Sequence, residues 1–249
     1  MRTYEVLLAF LVVTQSGSAL AASHDPKPVV LSRAGQINLG LAQSYLDANS
    51  LEAALDRAKR AVSADPNYGE THAVLGMVYT RIGNQAGAAQ EFETALKLSP
   101  SSGSILNAHA VWLCGQGQFD RADSEFRQAL ADPFYTNTMQ ANANAGKCAQ
   151  QAGRLPVAEA YLRLALEKAP EDAQILLGLA QVEFAQGQWL EARAFAQRRL
   201  SIGATAEVLD LAARIEDAAG DKSAAARYRQ QRNDQFPEPA PTGEGVPRP

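Results

Sequence analysis

The chain has 249 residues, of which 46% are apolar and 20% charged, and this apolar fraction is sufficient for a sizeable folded core. Its formal net charge is −4 at pH 7, and its lysines and arginines form no continuous basic run. This charge excludes nucleic acid as an expected partner and argues against adhesion to an anionic membrane surface.

The first segment of the chain has the pattern of a signal peptide, which we predict over residues 1–22. Arg2 precedes an apolar run at residues 6–13, and small residues follow that end in an A-x-A cleavage pattern at residues 19–21. The alternative is a helix that simply starts the fold, but the apolar run is too short for a bilayer span of about 20 residues. We therefore expect export, with residues 23–33 as a linker.

The rest of the chain is organised by a 34-residue period of small, apolar and turn-forming residues. In its clearest unit the recurring residues are Leu75, Gly76, Tyr79, Gly83, Ala88, Phe92, Ala95 and Pro100. The preceding unit carries their counterparts 34 residues earlier, at Leu41, Ala42, Tyr45, Asn49, Ala54, Ala58, Ala61 and Pro66. This is the signature of the tetratricopeptide repeat (TPR), a pair of antiparallel helices that stacks on its neighbours.

The period continues less regularly through four further units. The third ends early at Pro133 and is followed by two extra residues, after which the register is restored. The sixth unit places Arg229 and Arg232 where core residues are expected, as in a solvent-facing cap. We predict an all-α, right-handed superhelical solenoid of about six TPR helix-turn-helix repeats over residues 34–237. A disordered Pro/Gly-rich tail is predicted at residues 238–249.

Each recurring position has a physical role in such a stack. Small residues at the eighth and twentieth positions let the two helices of a repeat approach closely. Larger residues such as Leu75, Tyr79 and Phe92 fill the space between repeats. The Gly near position fifteen is expected to end the first helix in the left-handed conformation, and the Pro near position 32 to end the second.

The sequence contains no recognisable catalytic or metal-binding pattern. His24 lies in the linker, and His72 and His109 fall in different repeats without the spacing that builds a metal site. We interpret them as packing or surface residues. An enzyme with dispersed catalytic residues is the alternative, but the scarcity of His and Cys disfavours it. We predict a protein that is not an enzyme and uses no metal, cofactor or small-molecule substrate.

Cys114 and Cys148 require separate consideration because an exported protein enters an oxidising compartment. They lie at positions twelve and ten of the first helices of adjacent repeats. Equivalent positions of packed helices are expected to be about 8–10 Å apart, beyond comfortable disulfide reach. The sequence therefore favours a buried free pair, with a disulfide as the open alternative.

A binding function is expected in the concave groove, because the first helices of a TPR stack line this surface. The groove candidates are Gln43, Met77, Arg81, Asn107, Val111, Asn144, Lys147, Gln151, Gln181 and Phe184. Their mixture of amides and apolar groups suits an extended or helical peptide, although the amides could also simply solvate the inner face. The Lys and Asn arrangement that clamps a C-terminal carboxylate in chaperone-binding TPR domains is not reproduced, which disfavours a cytosolic co-chaperone. We expect a monomer.

Three segments give the chain a resemblance to a known family. They are the helix from Asn107 to Phe119, the A-x-x-D-P-x-Y turn from Ala129 to Tyr135, and the N-x-G-x-C helix from Asn144 to Cys148. In these segments the chain resembles the type IV pilus biogenesis and stability family called PilF or PilW. With the upstream repeats, the resemblance covers Leu31 to Pro237.

The resemblance implies a six-TPR pilotin that faces the periplasm at the outer membrane. Such a protein helps the pilus secretin subunit reach the outer membrane and assemble its ring. Members of this family usually carry a lipobox cysteine at the end of the signal peptide, whereas this chain has Ser and Ala there. Either the protein stays periplasmic and binds its partner without a lipid anchor, or its natural start lies elsewhere. The rival function is that of a periplasmic TPR adaptor that regulates cell-wall enzymes.

Overall fold

The computed structural model describes residues 30–237, and within them it contains twelve α-helices and no strand. The helices are α1 (Arg33–Asp47), α2 (Leu51–Ala64), α3 (Gly69–Arg81), α4 (Gln85–Leu98), α5 (Gly103–Gly115), α6 (Phe119–Ala131), α7 (Thr138–Gln151), α8 (Leu155–Lys168), α9 (Ala173–Ala185), α10 (Trp189–Ile202), α11 (Ala206–Ala219) and α12 (Lys222–Gln235). They form six consecutive pairs, which confirms the all-α TPR solenoid. The predicted signal peptide and Pro/Gly-rich tail lie outside the described residues. No helix in the described range combines the length and apolarity needed to cross a membrane.

The stacking of the pairs identifies the inner wall of the solenoid. Each first helix packs against the second helix of its own pair and against the first helix of the next pair. Between residues 30 and 237, no second helix packs against another second helix. The stack is therefore narrower on the side of the first helices, so α1, α3, α5, α7, α9 and α11 line the concave surface.

The turns inside the pairs have the predicted left-handed residues. Positive φ angles are found at Asn49 (56°), Gly83 (82°), Gly117 (72°), Gly153 (73°), Gly187 (78°) and Gly220 (88°). Glycine adopts this conformation without steric cost, and asparagine is among the few other residues that tolerate it. The first helix of every pair therefore ends at the turn that the sequence period predicts.

Close approach of paired helices depends on alanine at one position of each repeat. The six equivalent residues have no exposed surface: Ala54, Ala88, Ala122, Ala158, Ala192 and Ala225. Gly146 makes the contact between α7 and α8 tighter still, because a Cβ atom there would lie 2.6 Å from Leu162 Cγ. A larger side chain at these positions would separate the helices and disrupt the core.

The early Pro133 belongs to a turn that the chain uses twice. Asp132-Pro133-Phe134-Tyr135 corresponds to Asp65-Pro66-Asn67-Tyr68, and in both turns the Tyr N–H donates to the Asp carbonyl at 3.2 Å. In both, the Asp carboxylate also accepts a backbone N–H near the start of the preceding first helix, from Gly103 at 2.8 Å and from Ser32 at 3.1 Å. The turn therefore ties consecutive helices together. Phe134, which replaces Asn67, is 90% exposed.

His72 and His109 are packing residues, which is one of the two alternatives that the sequence left open. Both are buried, and Nδ1 of each lies 2.7 Å from a glutamate on the second helix of its own repeat, Glu91 and Glu125 respectively. Each histidine therefore links the two helices of its repeat. His24 lies outside the described residues.

The expected separation of the two cysteines is wrong, because Cys114 and Cys148 form a disulfide. Their Cα atoms are 5.8 Å apart, within the normal range for a bridge and well below the expected 8–10 Å. They are packed in one cluster with Ala110 and Ala145, whose small side chains let α5 and α7 approach closely. The bridge therefore joins two neighbouring helices of the inner wall.

One buried acid on α9 forms an ion pair with an arginine of the preceding repeat. Glu183 is 1% exposed, and the Arg163 guanidinium on α8 donates to its carboxylate at 2.6 Å. Burial raises the pKa of Glu183, the charge of Glu159 adds to this rise, and Arg163 opposes it. Because burial disfavours the charged form, the carboxylate depends on its arginine partner.

Arg163→Ala should therefore lower the free energy of unfolding by about 2–3 kcal/mol at pH 7, because a buried carboxylate loses its partner. Because the pKa of Glu183 is raised in the folded state, its ionisation destabilises the protein as pH rises above the pKa that this group has in the unfolded chain. The stability deficit of Arg163→Ala should therefore shrink as pH falls towards 4.5. Urea unfolding of the wild-type protein and Arg163→Ala at several pH values measures this deficit.

The double variant Arg163→Ala/Glu183→Gln should recover part of the lost stability, because it removes the buried carboxylate as well. Arg127→Ala, which removes a pair whose arginine is exposed, should cost about 0.5 kcal/mol or less. Equal losses of stability in Arg163→Ala and Arg127→Ala would contradict this explanation.

Candidate protein-binding groove

The middle of the inner wall is almost free of exposed charge. Helices α5, α7 and α9 contain only two residues that are charged at neutral pH apart from histidine, Lys147 and Glu183. Glu183 is buried and faces Arg163 of α8, so Lys147 is the single exposed ionic group on these three helices. The charged residues of the same repeats lie mainly on the second helices. The groove here presents amides and apolar side chains to solvent.

A cleft of about 410 Å³ lies in this part of the groove, between α7, α9 and α11. It is lined by Met139, Gln140, Ala143, Asn144, Lys147, Gln150, Leu162, Asp172, Gln174, Ile175, Leu177, Gly178, Gln181 and Glu207. The base of the cleft is apolar, whereas its sides carry amides and three charged residues, Lys147, Asp172 and Glu207. This combination of an apolar base and a few polar groups is typical of binding sites.

Asn144 is oriented by two hydrogen bonds on the α7 side of the cleft. The Gln140 side-chain amide donates to Asn144 Oδ1 at 3.0 Å, and Asn144 Nδ2 donates to Asn107 Oδ1 on α5 at 3.2 Å. The bond to Asn107 connects two repeats. Asn144 therefore has a defined orientation in the absence of a ligand.

Gln181 is oriented in the same manner on the α9 side. The Gln150 side-chain amide donates to Gln181 Oε1 at 3.1 Å, and Gln181 Nε2 donates to Glu207 Oε1 on α11 at 3.0 Å. These two bonds connect three consecutive first helices. The groove is thus crossed by two short chains of amide hydrogen bonds.

The two oriented amides can each bind a peptide backbone. A carboxamide has two N–H donors and two acceptor lone pairs. Asn144 and Gln181 each use one donor and one acceptor position within the groove, so one of each remains for a ligand. A peptide group needs one acceptor for its N–H and one donor for its carbonyl. The arrangement therefore suits an extended segment of another polypeptide.

The structure gathers some of the predicted groove residues and separates others. Asn144, Lys147 and Gln181 line the cleft, and Asn107 adjoins it through Asn144. Four predicted residues are exposed on the inner helices outside the cleft: Gln43, Met77, Arg81 and Val111. Their role in binding stays a prediction.

Two predicted groove residues contact other parts of the wall. Gln151 is exposed, and its Oε1 lies 3.2 Å from Cys114 Sγ, next to the disulfide. The ring of Phe184 lies 5.4 Å from the Trp189 ring and 4.8 Å from the Arg214 guanidinium. Phe184 is therefore packed between α10 and α11.

Several lining residues were missed in the sequence. Gln140 and Ala143 precede Asn144 and Lys147 by four residues each, which places them on the same helical face. Extending that stripe towards the start of α7 would have identified them. Glu207 is the second residue of α11, as Gln174 is of α9, so the repeat register would have placed it on the inner face, and the packing of α11 beside α9 brings it to the cleft.

The described residues, 30–237, contain no group of three or more His, Cys, Asp or Glu side chains arranged to hold a metal ion. The two histidines in this range face carboxylates instead of a hydroxyl or thiol. Neither is therefore placed to act as the base of a nucleophile.

Comparison with known proteins supports the repeat architecture and finds similarity to proteins of type IV pilus biogenesis. The tetratricopeptide repeat family matches residues 39–103, 113–171 and 144–207. The crystal structure of PilW, a widely conserved type IV pilus biogenesis factor, is 28% identical with a TM-score of 0.76, and the match covers 83% of this chain and 95% of PilW. PilF of Pseudomonas aeruginosa shares the fold at 22% identity with a TM-score of 0.71, over 82% of this chain and 92% of PilF. An uncharacterised Haemophilus influenzae protein is 30% identical over 124 residues, which are 50% of this chain and 69% of that protein.

Proposed function

Because the chain belongs to the tetratricopeptide repeat family, we propose that it is a protein-binding scaffold of type IV pilus biogenesis. In this proposal it binds the secretin subunit of the pilus machine and assists its localisation and multimerisation at the outer membrane. The observation that carries the proposal is the similarity to PilW, which extends over nearly the whole of that protein. Stacked TPR repeats characteristically expose concave surfaces for other proteins.

The chemistry of the groove supports a polypeptide as the ligand. Asn144 and Gln181 are oriented by neighbouring amides and retain one donor and one acceptor each. The cleft base of Met139, Ala143 and Gly178 offers an apolar contact for a side chain. In this function the protein acts by binding, without catalysing a reaction.

The disulfide supports a periplasmic location. Bridges such as Cys114–Cys148 persist in oxidising compartments, including the bacterial periplasm, and are rare in the cytosol. This agrees with the export signal expected in the N-terminal sequence. The proposal places the solenoid in the periplasm, where it would meet secretin subunits on their way to the outer membrane.

The experiment that tests the proposal is affinity purification of the exported protein from its own cells, with identification of the co-purifying proteins. The pilus secretin should be recovered with the wild-type protein and depleted with Asn144→Ala/Lys147→Ala. Asn67→Ala/Lys168→Ala is the matched control, because both residues are exposed and lie outside the cleft. This control should retain secretin at the wild-type level.

Two results would overturn the proposal. Recovery of peptidoglycan hydrolases or synthases without secretin would replace it with the adaptor function. Turnover of a substrate by the purified protein would contradict a role confined to binding.

A further inference from the structure

Lys147 is an isolated cation in the groove. It is the single exposed charge on α5, α7 and α9, and no acidic side chain of the described residues lies within ion-pair distance of it. The cleft lining also contains two acids, Asp172 and Glu207, but neither forms an ion pair with Lys147. Because no carboxylate pairs with it, Lys147 favours an anionic group of the ligand at this side of the cleft.

Glu207 supplies the opposite charge on the far side of the same cleft. Its carboxylate accepts a hydrogen bond from Gln181, and no basic side chain in residues 30–237 forms an ion pair with it. The other acid of the lining, Asp172, already accepts the backbone N–H groups of Gln174 and Ile175 at the start of α9. Asp172 is also the N-cap of α9 and lies at the positive end of that helix, so Glu207 is the carboxylate better placed for a cation of the ligand.

We propose that the cleft binds an extended segment of the partner that carries an acidic residue at Lys147 and a basic residue at Glu207, with an apolar residue between them. This inference rests on the proposed function, since it describes the segment of the partner that enters the groove. The charges set the direction in which the segment lies across α7, α9 and α11. The oriented amides of Asn144 and Gln181 bind its backbone whatever its side chains are.

The base of the cleft accommodates the apolar residue. Met139, Ala143 and Gly178 keep part of their surface exposed there, above the buried side chains of Leu162 and Ile175. Small residues leave room for an incoming side chain, and methionine adapts its shape to different ones. An apolar group in this position would be removed from water, which favours binding.

The test uses short overlapping peptides that cover the secretin of the same organism, with binding measured by fluorescence anisotropy. The variants are Lys147→Glu and Glu207→Lys, each compared with an outer-face control, Lys168→Glu and Glu167→Lys, on the exposed surface of α8. A like-charge contact is costly, so each groove variant should weaken the best peptide about tenfold or more, and each control should not. Exchanging the acidic residue of the peptide for lysine should restore binding to Lys147→Glu while weakening binding to the wild type.

The outcomes separate this inference from the proposed function. Secretin peptides that bind the groove variants and the controls equally well would overturn the charge polarity and leave the secretin function intact. If no secretin peptide binds, a designed peptide with an aspartate, a leucine and a lysine in an uncharged background is tested next. If this designed peptide binds the wild-type cleft and is weakened by the groove variants, the charge polarity is supported. The failure of the secretin peptides would in that case overturn the secretin function alone. Failure of the designed peptide as well would overturn both.

Discussion

Reduction of the Cys114–Cys148 bridge is expected to lower the free energy of unfolding by about 3–4 kcal/mol. The bridge joins residues 34 apart in sequence, so it limits the conformations of the unfolded chain over a loop of that length. It also ties together two helices, α5 and α7, from adjacent repeats. Reduction therefore removes a restraint on the unfolded chain and a covalent link across a repeat interface.

Urea unfolding with and without dithiothreitol measures this effect, and Cys114→Ala/Cys148→Ala is the matched variant. The wild-type protein in reductant should fall to about the stability of the variant, which should itself be insensitive to reductant. Thiol labelling of the unfolded protein should modify neither cysteine unless reductant has been added. Full labelling without reductant, together with no change in stability, would show that the pair is free.

Phe92→Ala is expected to lower the free energy of unfolding by about 3–5 kcal/mol, because it opens a cavity at the interface of two repeats. Phe92 is 1% exposed. Its ring lies so close to Gly76 on α3 that a Cβ atom there would be 3.2 Å away. On the other side its centroid is 5.3 Å from the His109 ring and 5.9 Å from the Trp112 ring, both on α5. One side chain therefore packs helices of the second and third repeats together.

Phe134→Ala provides the matched control because it removes the same side chain from an exposed site. With 90% of Phe134 accessible to solvent, the change should alter stability by no more than about 0.5 kcal/mol. Phe134→Asn tests this further, since Asn67 occupies the equivalent place in the other Asp-Pro-x-Tyr turn. Thermal and urea unfolding of the three variants give the comparison. A loss at Phe134 as large as that at Phe92 would mean that the inserted turn is part of the core.

The fold could be predicted from the sequence because its determinants are local and repeated. An alanine with no exposed surface recurs at one position in all six repeats, and a left-handed residue ends each first helix. These residue types are required by helix contact and turn geometry within a single repeat, so each unit carries its own signal. Stacking then follows, since a single pair of helices cannot bury its apolar face.

The candidate site was predicted only in part, because signals within a single repeat do not show which side chains of different repeats meet. Repeat positions placed Asn107, Asn144, Lys147 and Gln181 on the inner wall, and the structure brings these four together at or beside one cleft. A repeat position specifies the helical face but gives no information on which faces converge. Gln150 and Glu207 join the site through side-chain hydrogen bonds to Gln181 that cross the boundaries between adjacent repeats.

The amino-acid sequence was sufficient for the helix pairs, their turns, their order and the face of each helix that turns inward, because these depend on residues within one repeat. The disulfide, the orientation of the groove amides and the opposition of Lys147 and Glu207 were set by the packing of α5, α7, α9 and α11. The side chains concerned belong to separate repeats, and small differences in helix approach decide whether they meet. The separation of 5.8 Å between the cysteine Cα atoms is the clearest case, since the repeat positions alone led to an expected distance of about 8–10 Å.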